Sequence, residues 1–233
     1  MSVLVARLLS FRQELAIELQ RFILLWRYQY HVPPFTLWWR LVLKRIVDCS
    51  AGLLGLIITA PLMALIALII KLDSKGPVLY AQERVGRFGD SFMIYKFRTM
   101  RVDAEANGPV WSAGERDPRL TKIGAFLRRS HLDELPQFFN VLKGEMSLVG
   151  PRPERRCFVE RLDRAIQGYD ERLFIKPGMT GLAQVHYRYD QSIADVKRKL
   201  RFDLLYVKRM CLMLDARILA WTVFVVVTGR GIK

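Results

Sequence analysis

Cysteine and histidine are scarce in this 233-residue chain, with three of each, and they lie far apart. Cys49, Cys157 and Cys211 form no C-x-x-C pair, which argues against a zinc site and a disulfide framework and suits a reducing compartment. His31, His131 and His186 are scattered and no G-x-S-x-G elbow occurs, so a serine-type triad is disfavoured. No G-x-x-x-x-G-K-[ST] loop is present, nor a G-x-G-x-x-G after a strand, so the standard nucleotide folds lack support. A helix-turn-helix, an RNA-binding aromatic motif and a zinc finger are all missing, so no nucleic acid is expected as partner. Acidic residues are also short, 22 against 37 Lys and Arg, giving a formal charge of +15. A disordered basic tail would be poor in apolar residues, yet 52% of this chain is hydrophobic. High positive charge on an apolar chain points to anionic lipid and phosphorylated small molecules.

The N-terminus does not read as a secretory signal, because Arg7, Arg12, Glu14, Glu18 and Arg21 interrupt its apolar residues and no small-residue cleavage site follows. Leu4, Leu8, Phe11, Leu15, Leu19, Phe22 and Trp26 step by threes and fours, the stripe of an amphipathic helix. Pro33-Pro34 ends that element, with Tyr28, Tyr30, Trp38 and Trp39 crowded around the break as at a membrane–water interface. Residues 1–42 are therefore expected to form an interfacial segment. No charge occurs from Cys49 to Ile70, a run long enough to cross a bilayer. Arg40, Lys44 and Arg45 precede it and Lys71 and Lys75 follow, so charge gives no orientation. Pro61 lies midway and would bend a helix. A kinked span and a helix that enters and leaves by one face are equally consistent with these residues.

After residue 75 the composition becomes that of a mixed α/β body. Val78–Ala81 and Phe92–Phe97 read as a hairpin around a Gly86–Gly89 turn, and 107–118 as a loop. Leu120–Arg129, Asp133–Leu142 and Glu154–Arg164 read as helices, the second with Ser130 as N-cap in a capping-box pattern. Ile193–Met213 mixes Lys197, Arg198, Lys199, Arg201, Lys208 and Arg209 with leucines, the pattern of a basic helix on a membrane surface. Ile218–Thr228 is too short to span.

The chemistry-bearing stretch is Arg128-Arg129-Ser130-His131-Leu132-Asp133-Glu134-Leu135-Pro136-Gln137. Adjacent carboxylates at a helix start, close to arginines, stay ionised and can act as a nucleophile or as a ligand for a hard cation. On spacing alone, helix capping is the more economical reading. Two basic clusters strengthen the chemical one: Lys96 and Arg98 at the end of the hairpin, and Arg152 in the stiff Gly150-Pro151-Arg152-Pro153 turn. Arginine forks bind phosphate oxygens in pairs, and a rigid turn fixes where the fork points. Carboxylates, basic groups and an apolar anchor together suit a diphosphate substrate at a membrane.

From Leu43 to Gly231 the chain resembles the bacterial sugar transferases known as monotopic phosphoglycosyl transferases. The resemblance is carried by Lys44-Arg45-Ile46-Val47-Asp48, Gly76-Pro77-Val78, Gln82-Glu83-Arg84-Val85-Gly86, Tyr95-Lys96-Phe97-Arg98-Thr99-Met100 and Leu132-Asp133-Glu134-Leu135-Pro136-Gln137, then by Asn140–Pro153 and Lys176-Pro177-Gly178-Met179-Thr180-Gly181. It implies transfer of a sugar 1-phosphate from a UDP-sugar to polyprenol (undecaprenyl) phosphate with release of UMP, on the cytoplasmic face of the bacterial inner membrane. This would be the first membrane step of exopolysaccharide, capsule or O-antigen synthesis. It further implies Mg²⁺ and an Asp-Glu dyad, here Asp133 as nucleophile and metal ligand with Glu134 assisting. Lys96, Arg98, Arg128 and Arg152 would bind phosphate, and the apolar segment would be a re-entrant helix kinked at Pro61.

Two stretches depart from the family's usual wording. Thr59-Ala60-Pro61 stands where Ser often precedes the proline, and Ala183-Gln184-Val185-His186-Tyr187-Arg188 replaces a common Asn-Gly-Arg form. The latter wording is closer to the long branch of the family, and residues 1–42 are expected to stand in the place of that branch's N-terminal membrane bundle. The expected fold is α/β and mainly helical, with residues 43–75 as the membrane helix and 76–233 as the catalytic domain. The expected partners are a UDP-sugar, undecaprenyl phosphate and the lipid bilayer, with a homodimer left open. The competing reading is a non-catalytic basic membrane adaptor.

Overall fold

Pro33-Pro34 divides two helices. In a computed structural model, which describes residues 2–29, 32–105, 117–187 and 192–228 with side chains from residue 14 onward, α1 is Ser2–Tyr28 and α2 is Pro34–Asp73. His31, Tyr30, Arg188 and most of the 107–118 loop lie outside the described residues. Pro34 opens α2, where its fixed φ suits a first helical position and its missing N–H has no helical partner to lose. The helix thus begins before residue 43, the expected start of the membrane helix, and well before the charge-free run that opens at Cys49. It continues unbroken through Pro61. The Thr59 hydroxyl donates at 2.6 Å to the Gly55 carbonyl, not to that of Ile57, which the proline leaves without its helical donor.

One side of α2 is buried along its length, at Leu37, Asp48, Gly52, Ile66 and Ile70, while Leu54, Ile58, Leu62, Leu65 and Leu72 are exposed. Its first half lies against α4 (Gln137–Lys143) so closely that a Cβ on Gly55 would stand 2.8 Å from the Phe138 ring. Arg45 donates to the Val141 and Leu142 carbonyls at 2.6 and 2.8 Å, satisfying the open end of α4. Farther along, Ile66 and Ile70 pack with Phe97 and Leu127. A helix fastened at both ends to one body runs along that body.

Strands β1 (Leu79–Val85) and β2 (Ser91–Phe97) form the expected antiparallel hairpin, with Tyr80 opposite Lys96 and Arg84 opposite Phe92. Helix α3 (Lys122–Arg129) is capped by Thr121, whose side chain accepts from the Gly124 amide at 2.9 Å. A second, parallel pair joins β3 (Ser147–Val149) to β4 (Gly178–Thr180). Strands of three residues carry no readable alternation, so neither was expected. Helices α5 (Arg156–Ala165), α6 (Leu182–His186), α7 (Ile193–Arg209) and α8 (Leu212–Thr228) complete an α/β, mainly helical body.

The stretch 193–213 is two helices, broken at Met210-Cys211. Of the apolar residues of α7, Val196, Leu200, Tyr206 and Val207 are turned into the core while Ile193 and Leu205 are exposed, as are Val223, Phe224 and Val227 of α8. Leu25 of α1 and Leu37 of α2 share one cluster with Val141, Val149, Tyr206 and Ile218. The N-terminal helix is further held by Arg21, which donates to Asp90 in the hairpin turn at 2.8 Å, and by the Tyr28 ring, edge-on to Phe174 at 5.6 Å.

Candidate active site

The two carboxylates do not cap a helix. Ser130 ends α3, its hydroxyl donating to the Phe126 carbonyl at 2.9 Å, and His131 then takes a left-handed conformation with φ 58°. That turn redirects the chain so that Asp133 and Glu134 fall in a 3-10 turn, Leu132–Glu134, ahead of α4. The capping box anticipated at Ser130 is therefore absent, and α4 begins after Pro136 with no side-chain cap. A non-glycine residue at positive φ is uncommon and stores strain of the kind held at functional sites.

Five of the expected residues meet here. Lys96, from the last part of β2, donates to Glu134 Oε1 at 2.7 Å, and Arg152 donates to the same oxygen at 2.9 Å. Arg128, from the last turn of α3, acts on Asp133 through its charge. Asp133 is only 5% exposed and has no hydrogen-bond partner among the described residues. Burial, reinforced by the neighbouring Glu134 charge, raises its pKa above the ordinary carboxylate value, against the pull of Lys96, Arg128 and Arg152. Glu134 goes the other way. Burial would raise it, but Arg152 and Lys96 together outweigh burial and hold it well below the usual range. The pair is thus divided into one carboxylate clamped as an anion and one that is buried and unbonded. Arg152 remains 46% exposed, so part of its fork faces open space beside the dyad.

Arg98 lies elsewhere. It is buried, with Nη1 donating to the Lys75 carbonyl at 2.6 Å and Nη2 to the Ser74 carbonyl at 2.8 Å. Its fork closes the C-terminal end of α2 instead of facing the dyad. A hollow of about 360 Å³ lined by Cys157, Glu160, Arg161, Arg164 and Ala165 contains none of the dyad residues.

A model of the bacterial sugar transferases matches residues 39–229. The chain belongs to the bacterial sugar transferase family. It is 43% identical over 191 residues to the UDP-N-acetylgalactosamine-undecaprenyl-phosphate N-acetylgalactosaminephosphotransferase of Aeromonas hydrophila, covering 82% of this chain and 45% of that one. To the UDP-glucose:undecaprenyl-phosphate glucose-1-phosphate transferase of Klebsiella pneumoniae it is 43% identical over 186 residues, 79% of this chain and 40% of the other. The exopolysaccharide production protein PSS of Rhizobium leguminosarum is nearer in length, 42% identical over 197 residues that make up 82% of this chain and 98% of that protein. The chain thus spans less than half of the first two relatives. Helix α2 is long and apolar enough to cross a membrane by length and composition, and together with the family this implies membrane association.

Several site features escaped the sequence reading. Arg172 and Arg84 each donate to carbonyls of the turn that carries Arg152, at 2.9 and 3.2 Å. Neither stands in a charge pattern that marks it out from the chain's other arginines. Gln137, one turn past Asp133, is buried with Nε2 unpartnered among the described residues.

Proposed function

We propose that this sugar transferase moves a sugar 1-phosphate from a UDP-sugar to undecaprenyl phosphate at the cytoplasmic face of the inner membrane. The observation that carries this reading is the division of the dyad: a buried Asp133 with no hydrogen bond among the described residues, beside a Glu134 fixed by Lys96 and Arg152. In the first displacement an Asp133 oxygen forms a bond to the sugar-bearing phosphorus as its bond to the bridging oxygen breaks, and UMP leaves with that electron pair. In the second, an oxygen of the lipid phosphate attacks the same phosphorus and frees the Asp133 carboxylate. Two steps let a water-soluble donor and a lipid acceptor use one site in turn.

Arg152 and Lys96 supply positive charge where the diphosphate sits, without which an anionic nucleophile is repelled. Glu134 has too low a proton affinity, while clamped, to serve as a strong base. Its task in this reading is to align the two cations. Mg²⁺ is commonly held by one or two carboxylates plus substrate phosphates, and the buried Asp133 carboxylate, without a hydrogen-bond partner among the described residues, suits it. Asp133 would hold it. When bound it would neutralise charge on the diphosphate. The docking of α2 on one body at both ends supports re-entry over a full crossing, with the exposed Leu54–Leu72 face in lipid.

The test is UMP release by the full chain in lipid nanodiscs with Mg²⁺, undecaprenyl phosphate and a panel of UDP-sugars. Turnover with a donor, lost in Asp133→Asn and on chelation, is the expected result. Turnover that persists in Asp133→Asn would overturn the mechanism, and silence across the panel from folded protein would favour the adaptor reading.

A further inference from the structure

The turn that carries Arg152 cannot hold itself. Pro151 and Pro153 have no N–H, so this stretch has few donors of its own. The four carbonyls from Pro151 to Glu154 are nevertheless bonded, each from outside. Pro151 O accepts from the Gly178 amide at 2.9 Å, and Glu154 O from the Val85 amide at 2.9 Å. The two between them are taken by side chains: Arg172 Nη2 donates to Arg152 O at 2.9 Å and Arg84 Nη1 to Pro153 O at 3.2 Å. Arg172 is itself fixed. Its Nε donates to Asp203 of α7 at 3.0 Å and its Nη1 to the Tyr169 hydroxyl at 3.1 Å. The side chains of Arg172 and Asp203 are each only 6% exposed.

We infer that Arg172, locked by Asp203, is a positioning residue that sets where Arg152 points, and that through Arg152 it aligns Glu134 and the phosphate-facing fork. The geometry forms an unbroken chain from Asp203 to Arg172, to the Arg152 carbonyl, to the Arg152 guanidinium and to Glu134. Arg152 needs such support because its side chain is 46% exposed and its carboxylate contact is one oxygen of Glu134. A planar fork is required at Arg172, since it must reach an anion, a phenol and a carbonyl from nitrogens in fixed relation. Lysine keeps the charge and lacks that geometry.

The inference rests on the proposed role of Arg152 in binding phosphate, so two readouts separate them. Hydrogen exchange of the full chain in nanodiscs reads the turn without any substrate. Arg172→Lys, with Asp203→Asn as a second variant, should speed exchange at residues 150–156 while the melting transition stays cooperative. Unchanged exchange in a folded Arg172→Lys protein overturns the inference. UMP release from UDP-N-acetylgalactosamine and UDP-glucose reads the reaction, and Arg172→Lys should lose up to about 10²-fold in kcat/KM, as a displaced contact can cost. Arg152→Ala with Arg172→Lys should then be no worse than Arg152→Ala alone, since both act through one group. Losses that multiply show that Arg172 works independently of Arg152 and also overturn the inference. A wild type that turns over neither donor fails the proposed function for these donors and leaves exchange to decide the role of Arg172.

Discussion

The base of α2 is joined to the body by a buried ion pair whose removal gives a sharp test of how the membrane helix is held. Lys44 Nζ stands 2.7 Å from Asp215, with side-chain exposures of 12% and 9%. The Tyr206 hydroxyl donates to the other Asp215 oxygen at 2.5 Å and lies 3.0 Å from the Val149 carbonyl. Burial, with Asp215 beside it, raises the phenol's pKa well above its ordinary value, so it remains a donor. Lys44→Met removes the cation and leaves the carboxylate in a dry site. Breaking a buried pair in this way costs about 3–5 kcal/mol. At about 2–4 °C per kcal/mol for a chain of this size, the melting temperature should fall by about 6–20 °C. Tryptophan fluorescence during heating, in one fixed detergent, reads the change. Lys44→Met with Asp215→Leu removes both charges and leaves Tyr206 its carbonyl, so the double variant should recover most of the loss. A single variant within about 2 °C of wild type would refute the argument, as would a double variant less stable than the single.

Leu37→Ala, at a fully buried residue just outside the family match, should cost about 2–5 kcal/mol; a loss under about 1 kcal/mol in chemical denaturation would show that this segment is not part of the core. Arg98→Met should lower the melting temperature by leaving the Ser74 and Lys75 carbonyls unpaired, yet leave the donor KM near wild type; a large KM rise in folded protein would return Arg98 to the phosphate site. Asp203 gives a pH prediction. Burial raises its carboxyl above the ordinary value in spite of Arg172. A raised folded-state pKa means that the native state binds this proton more tightly than the unfolded chain, so the group's contribution is whole below about pH 3.9 and is lost as pH rises through the folded value. The stability difference between wild type and Asp203→Asn should therefore decline as denaturation is repeated from about pH 4 upward, and a difference that grows with pH would refute it.

What the sequence made legible was whatever repeats or announces itself locally. The hairpin was visible because β-branched and aromatic residues flank a Gly86–Gly89 turn, and its register then placed Lys96 opposite Tyr80. The Asp133-Glu134 pair was visible as two carboxylates near arginines, but its conformation was not. The capping-box spacing is a local rule, and the left-handed His131 overrides it, because tertiary contacts decide whether a short segment continues as helix. Arg98 shows the same limit from the other side. Nothing in Lys96-Phe97-Arg98 separates the two cations, yet one reaches Glu134 at 2.7 Å and the other closes the end of α2. The amphipathic pattern of α7 was real, but a pattern does not say which apolar residues the protein covers: the core takes Leu200 and Val207 and leaves Leu205 exposed.

The placing of buried charge follows one division of labour. Where a carboxylate must stay anionic and fixed, it is given two cations, as Glu134 is by Lys96 and Arg152. The carboxylate left without a hydrogen bond among the described residues is Asp133, whose raised pKa marks an anion less stabilised than its neighbour. An unstabilised anion is the better nucleophile, and also the one that gains most from a cation arriving with the substrate. Buried ion pairs such as Arg172–Asp203 add little net stability against apolar replacements, so their value here is geometric. They hold a proline-bracketed turn that has few donors of its own, and thereby keep an exposed arginine aimed at a site that must open to both water and lipid.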